Sequence, residues 1–344
     1  MQVFLFMKKI VTIGGGTGSF TLLSGLKEYP IRLSAIVSMA DNGGSTGVLR
    51  DELGVLPPGD VRQCLVALSN SSDSLRKLMN YRFENGGLGG HNFGNILLSA
   101  LEKVEGGFLA GVKEAEKILN IKGEVIPVTE SDVDLYMKLN DGTLLKGERD
   151  ITVSIDIEKK GIDQYYLNPK AKANKKAIKR IMEADMIVIG PGNLYSSVLP
   201  NFLVDGISEA ICKSKAIVVF NCNLANKEGQ SEGFTLENYA DIINKYLRKD
   251  RIDFVTFNTK KPSKKLIEKY KKQKEYLVYF DKDIKKNYKV IATNLLSNKI
   301  SKLNKTDKMA MSRAFIRHDS DKLAKVLMFL LELEENKGLI GKII

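Results

Sequence analysis

Two side chains have the type and setting to carry acid–base chemistry, Asp41 and His91, and each stands beside clustered glycines. Asp41 opens DNGGSTG directly after an apolar run. A carboxylate there can accept hydrogen bonds from a ribose, or hold magnesium together with phosphate oxygens. The plainer alternative is an Asx-turn. Asn42, Gly43, Gly44, Ser45, Thr46 and Gly47 then offer backbone N–H groups and hydroxyls in what reads as a flexible loop. Arg50 is close enough in sequence to add a guanidinium to a phosphate or carboxylate. His91, with Asn92 and Asn95 in GHNFGN, precedes a helix start, as a hydrogen-bond donor, a general acid/base or a satisfied structural residue. Asp41 is the sole candidate metal ligand. Two histidines exclude a multi-histidine site, and Cys64, Cys212 and Cys222 are too scattered for zinc or a disulfide framework, so they read as packing residues.

Other stretches offer backbone rather than side-chain chemistry. In IVTIGGGTG an apolar run ends in Gly14, Gly15, Gly16, Thr17 and Gly18, and a helical pattern follows at about Phe20–Glu28. Glycines let a backbone come close to a phosphate, and free N–H groups at a helix start point at the anion. No Gly-Lys-Ser/Thr follows, so this is not a P-loop; the dinucleotide spacing is met by Gly14 and Gly16, but Ser19 replaces the third glycine. A second such loop is Gly190, Pro191, Gly192 and Asn193, running into Ser196 and Ser197. A third opens at Asn221. Arg317, His318 and Asp319 make either a charged clamp or a cap for the last helix. No nucleophile elbow, catalytic triad or kinase set is present.

Elements must hold these groups together. Strands are expected at Lys9–Ile13, Ile31–Met39, Asp185–Ile189, Ala216–Phe220 and Ile252–Asn258, with weaker candidates at Tyr276–Phe280 and Val290–Ala292. Helices alternate with them, one with Asp60 as N-cap and one over Ser74–Phe83. This pattern predicts one α/β, Rossmann-like domain over residues 1–344: a doubly wound, mostly parallel sheet with helices on both faces. Residues 124–170 read as a small β-rich insertion, with a turn at Asn140-Asp141-Gly142, and residues 259–344 as a Lys-rich C-terminal extension. The unusual loops all follow strands, where such sheets bind ligands. The residues themselves therefore point to a nucleotide or phosphorylated ligand and leave the reaction open.

The chain has 344 residues and a formal net charge of +12, which suits an anionic partner. Its excess lysines, as in TKKPSKKLIEKYKKQK, read as a solvated helix face, and no nucleic-acid-binding signature accompanies them. No apolar run approaches a membrane span. The apolar start MQVFLFMKKI lacks the marks of a secretory signal and reads as a short extension before Met7, so a cytoplasmic protein is expected.

Taken together, IGGGTG, ADNGGSTGVLR, PPGDVRQCLVAL, GHNFGN, GPGNLYSSVLPN and IRHDSDKLA resemble the YvcK-type gluconeogenesis factors, within the wider CofD (2-phospho-L-lactate transferase-like) family. The resemblance covers nearly the whole chain from about Met7. It implies a Rossmann-like fold with a nucleotide in a strand-end cleft. In that branch the ligand is UDP-N-acetylglucosamine, with NAD-like dinucleotides also fitting, and no cofactor is required. The implied role is in cell shape and gluconeogenic growth, with protein partners in envelope control and a homodimer compatible with it. Transferase relatives move a phospholactyl group from a guanosine-diphosphate-linked donor to a deazaflavin, with magnesium. Carried over, the glycine loop falls on Gly14–Gly18, the acidic loop on Asp41, the GPG motif on Gly190–Gly192 and the late Arg-His-Asp on Arg317, His318 and Asp319, with Tyr270 matching a C-terminal tyrosine. Asn42 stands where the family has a second aspartate, which removes one magnesium ligand, and Asn193 replaces the commoner serine.

Overall fold

A computed structural model describes residues 7–272, 274–281, 285–298 and 316–340. The expected extension before Met7 lies outside them. The chain begins β1 (Lys9–Gly14), α1 (Gly16–Leu26) and β2 (Arg32–Val37). Five helices follow: α2 (Gly44–Leu53), α3 (Gly59–Leu68), α4 (Asp73–Asn80), α5 (Phe93–Val104) and α6 (Phe108–Ile118). After β3 (Glu124–Pro127) come β4 (Asp134–Leu139), β5 (Leu144–Lys146), α7 (Gly147–Val153), α8 (Ile157–Lys160) and β6 (Ile162–Asn168). The second half runs α9 (Lys175–Glu183), β7 (Met186–Ile189), α10 (Ile207–Lys213), β8 (Ile217–Asn221) and α11 (Leu236–Leu247). It closes with β9 (Phe254–Asn258), α12 (Lys264–Lys272), β10 (Lys289–Thr293) and α13 (Ser320–Ile340).

Seven strands form one sheet in the order β10-β9-β8-β7-β1-β2-β3, every neighbouring pair parallel. The apolar runs in β1 and β7 are buried almost throughout, as strands covered on both faces must be. The chain winds one way from β1 through β2 to β3, then the other way from β7 to β10. Right-handed crossovers in opposite directions place the connecting helices on opposite faces. The reversal lies between β1 and β7, and the register aligns Ile13 with Ile189, so both strands end at one level. This is the expected doubly wound architecture.

The second sheet, β5-β4-β6, is antiparallel. In β4 buried and half-buried residues alternate, the mark of a sheet with one covered face. The β-rich insertion therefore starts later than residue 124, because Glu124–Pro127 pairs with β2 in the main sheet. The C-terminal region is likewise no extension. Strand β10 completes the main sheet, and α13 packs on α1 through Leu323, Leu327, Leu330 and Leu331, an i, i+4, i+7, i+8 stripe. Gly25 permits the contact, since a Cβ there would stand 2.1 Å from the Ser320 carbonyl oxygen. Tyr276–Phe280 forms no strand, only a single bridge from Leu277 to Ala225. Helix α4 stops at Asn80, and Arg82 turns back to bridge Asn92. The lysines of α12 are exposed and its Tyr270 is buried, as a solvated face requires. Cys64 and Cys222 are buried in the core, where burial pushes both thiols up, while Cys212 is half-buried. Among the described residues no helix is long and apolar enough to cross a membrane.

Candidate functional site

At the reversal point, beyond the carboxyl ends of β1, β2, β7 and β8, lies a cleft of about 640 Å³. The glycine turn after β1 forms one wall. Helix α1 begins at Gly16 rather than Phe20, because Gly15 is fully extended (φ −156°, ψ 179°) and the helix opens immediately after it. Gly18 is already in that helix, and a Cβ on it would stand 1.9 Å from the Pro191 carbonyl oxygen. The two glycine-rich loops are thus in backbone contact across the β1–β7 boundary. Gly14 and Gly190 sit beneath this contact, while Gly15, Gly16, Thr17, Gly18, Pro191 and Gly192 line the cleft.

Asn193 locks the β7 loop. Its Oδ1 accepts from the backbone N–H of Tyr195 and of Ser196, both at 3.1 Å, and its Nδ2 donates to Gln230 Oε1. Losing such a cap costs about 1–2 kcal/mol. Asn193→Ala is therefore expected to lower the stability by that amount, seen in chemical unfolding as a reduced denaturant midpoint with an unchanged slope.

The stretch expected as a flexible loop over 41–47 is mostly helix, since α2 starts at Gly44. Asp41 Oδ1 accepts from the Gly43 N–H at 2.8 Å, the Asx-turn geometry, while its carboxylate also lines the cleft. Ser45 is buried and joins this helix to the GHNFGN loop. Its Oγ stands 3.3 Å from His91 Nδ1 and accepts from the Asn92 N–H, and Asn95 Nδ2 reaches both Ser45 and Thr46 hydroxyls. His91 and Asn95 line the cleft, whereas Asn92 is the buried cap of α5. Arg50 is brought elsewhere. It pairs with Asp132 at 2.6 Å and Asp134 at 2.9 Å, so its expected place on the ligand is taken by the edge of the insertion. Asn221 is buried behind the wall, donating to the Gly190 carbonyl and accepting from Thr256.

Helices α1, α2 and α3 all point their N-termini at this cleft, through Gly15–Thr17, Gly43–Ser45 and Gly59–Asp60. None of the three has a side-chain cap. Their first N–H groups lack intrahelical partners, so together they form a concave set of donors with the positive ends of three dipoles. Such a set holds anionic oxygen.

Several cleft residues were not singled out from sequence. Asp60, expected as a cap, lies in the first turn of α3 with Pro58 as cap. Its carboxylate reaches the glycine turn, where a Cβ on Gly15 would stand 2.0 Å from Oδ2. Arg62 is buried, donating to Asn95 Oδ1 at 2.9 Å and Asn80 Oδ1 at 2.7 Å. Glu148 and Arg149 come from α7 of the insertion. Gly147 takes φ +88° there and a Cβ on it would collide with Asn42 Nδ2, so the position requires glycine twice over, and Asn42 Oδ1 accepts from the Arg149 N–H at 3.0 Å. A Cβ on Gly43 would stand 3.3 Å from Asp41 Oδ1 and 3.4 Å from Glu148 Oε2, so the two carboxyls share one space. Burial first, and then the Asp41 carboxylate, push Glu148 up to about 8, against a 2.7 Å hydrogen bond from Thr152. Both causes favour the protonated carboxyl, which can donate a hydrogen bond. Among the described residues no three His, Cys, Asp or Glu side chains form a group that could hold a metal ion, at Asp41 or elsewhere.

Arg317 and His318 reach the cleft from the far end of the sheet. Their segment runs against residues 295–297: the Ser297 N–H donates to the Arg317 carbonyl and the Asp319 N–H to the Leu295 carbonyl. Asp319 caps α13, its Oδ1 accepting from the N–H of Asp321 and of Lys322. Tyr270 is not in the cleft; its hydroxyl accepts from the Ile316 N–H at 2.9 Å and so fixes the residue before Arg317.

The family model described as 2-phospho-L-lactate transferase CofD matches residues 10–296. The chain belongs to the CofD family. Within it, the chain is similar to the gluconeogenesis factors. That of Bacillus subtilis is 35% identical over 326 residues, 94% of this chain and 98% of the relative. That of Halalkalibacterium halodurans is 42% identical over 276 residues, 80% of this chain and 84% of the relative. The crystal structure of a UPF0052-family protein from Bacillus halodurans matches this CofD-family fold with a TM-score of 0.84 at 36% identity, covering 94% of this chain and 99% of the other.

Proposed function

We infer that this CofD-family protein is a regulatory gluconeogenesis factor that binds a nucleotide sugar, UDP-N-acetylglucosamine, in the switch-point cleft and serves cell shape during gluconeogenic growth. The observation that carries the ligand reading is the convergence of three uncapped helix N-termini beside two glycine loops in backbone contact. Diphosphate oxygens match those N–H groups. Asp41 and Asp60 offer acceptors for ribose or sugar hydroxyls, and Arg317 a guanidinium for a phosphate. The gluconeogenic role is supported by the names of the relatives. Calorimetric titration of the folded protein tests the binding; absence of heat at millimolar ligand overturns it. Arg317→Ala is expected to weaken the affinity roughly 10- to 150-fold, the worth of one charge-assisted contact of about 1.5–3 kcal/mol. An unchanged affinity removes Arg317 from the site.

A second reading, a phospholactyl-type transferase, is favoured by the family model's own description and by the pair of carboxyls, Asp41 and Glu148, that share one space in the cleft. It requires magnesium-dependent product from a guanosine-diphosphate-linked donor, and lack of product under those conditions leaves the regulatory reading.

A further inference from the structure

The insertion sheet ends on an open edge. In the order β5-β4-β6, strand β6 pairs on one side only, with β4. The register settles which way its backbone faces. Leu139 closes the β4–β5 turn, its N–H donating to the Thr143 carbonyl at 2.8 Å, whereas the Asn140 N–H donates to the Gly161 carbonyl at 3.2 Å. Backbone direction alternates along a strand, so Tyr136 and Lys138 face β6 and bond Tyr166 and Gln164. Tyr165 and Leu167, opposite Met137 and Leu135, then point their N–H and C=O groups away from β4. Among the described residues those outward groups have no hydrogen-bond partner. Just past the strand the chain does take one: the Asp205 N–H donates to the Ala171 carbonyl at 2.9 Å, and the Ala173 N–H to the Asp205 carbonyl at 3.0 Å. The pairing stops there.

This edge borders a groove of about 1220 Å³ that shares no lining residue with the switch-point cleft. Tyr165 and Leu167 line it, and Tyr195, Phe202, Ile242 and Tyr246 face them. Tyr165 ties the walls together: its ring meets Tyr195 and Tyr246 edge-on, at 6.3 Å and 5.7 Å, and its hydroxyl donates to the Tyr195 carbonyl. Small-molecule sites run to about 300–1000 Å³, so this volume exceeds what one small ligand fills. An open strand edge beside an apolar groove is instead the geometry of strand addition. The main chain of the incoming segment supplies the bonds, and every second side chain enters the groove. Charge sets the partner's sign. Lys170, Lys245, Arg248 and Lys249 line the groove and form no ion pair among the described residues. Of its four acids, Asp163 and Glu209 are paired with Lys138 and Lys213, which leaves Glu158 and Asp205 against four cations. We propose that this groove is an interaction surface that binds an extended segment of another protein by strand addition to β6, with apolar residues at every second position and acidic residues between them. The proposal is independent of the nucleotide-sugar reading.

The probe is a library of random short peptides displayed on phage and selected on the folded full-length protein. Enriched peptides are expected to alternate apolar and acidic residues. Added as synthetic peptides, they should slow hydrogen exchange in the β6 segment, read by mass spectrometry. Leu167→Pro removes one outward N–H at an edge position that proline tolerates, and should weaken them roughly 2- to 13-fold, the worth of one hydrogen bond. Should that variant fail to fold, Lys170→Glu, Lys245→Glu and Lys249→Glu combined, all at exposed positions, should weaken them roughly 3- to 150-fold. Titration of the same variants with UDP-N-acetylglucosamine should match wild type, so failure of the nucleotide reading and failure of this proposal are read separately. Selected peptides that bind the variants unchanged, or that leave exchange in β6 unchanged, overturn the proposal. A library that yields no enriched peptide overturns it as well.

Discussion

Glu148→Gln is expected to make the protein more stable than wild type in alkaline solution, with the advantage growing up to about pH 8. In the folded chain Glu148 keeps its proton to about 8, first because burial disfavours the charge and then because Asp41 stands beside it. In the unfolded chain the same side chain ionises near its ordinary value, about 4.3. Between those limits the native state binds one more proton than the unfolded state, so unfolding free energy falls as pH rises. One proton corresponds to a little over 1 kcal/mol per pH unit, about 1.4. This stabilising contribution is fully present below the unfolded value and lost as pH passes through the folded one. The glutamine side chain has no acidic proton to lose, and its amide oxygen can still accept from Thr152. Urea midpoints of both proteins from pH 5 to 9 check this: their difference should rise with pH and level off above about 8. A difference independent of pH would mean that Glu148 is ionised in the native cleft.

His318 gives the opposite slope at lower pH. Its folded value is depressed to about 4 against about 6.5 when unfolded, so the stability it supports is present above 6.5 and lost as pH falls toward 4. The Glu148 effect is therefore cleanest above about pH 7.5, where His318 is neutral in both states.

The second large effect is expected at Gly18. Alanine there would place its Cβ 1.9 Å from the Pro191 carbonyl oxygen. Both partners are backbone in the walls of the cleft, so neither can swing aside as a long side chain would. Forced repacking of this kind costs about 1–3 kcal/mol. Because the displaced atoms are those proposed to face the ligand, Gly18→Ala should also abolish UDP-N-acetylglucosamine binding in protein that is still folded at low temperature. Gly44→Ala is the informative contrast. No atom lies within 4 Å of a Cβ at that position, so its cost is confined to the positive φ of +49°. Retained binding by Gly18→Ala would show that the β1–β7 contact is not part of the ligand wall.

The fold was legible because its signals are local. Apolar runs such as KIVTIG and MIVI mark strands buried on both faces, and glycine clusters mark the turns after them. The same locality explains what was misplaced. Arg50 follows a glycine loop and so looked like a phosphate ligand, but Asp132 and Asp134 on a distant segment claim it. Tyr270 supports the residue before Arg317 rather than touching the cleft. Asp60 and Glu148 carried little local signal. Asp60 begins a helix as many caps do, Glu148 sits in what read as a hairpin insertion, and His318 stood beside an arginine and an aspartate that suggested a charged clamp. Only the packing of α7 against the Asp41 loop, and of residues 316–319 against 295–297, brings them into one space.

The central claim is that a nucleotide sugar lies where the sheet reverses direction. A crystal structure of the protein grown with saturating UDP-N-acetylglucosamine tests it most directly. The diphosphate should rest on the backbone of Gly16–Gly18 and Gly192, with Arg317 within hydrogen-bond distance of a phosphate oxygen. Ligand density elsewhere, for example in the groove beside Tyr165 and Tyr246, with the switch-point cleft left without nucleotide, would contradict it.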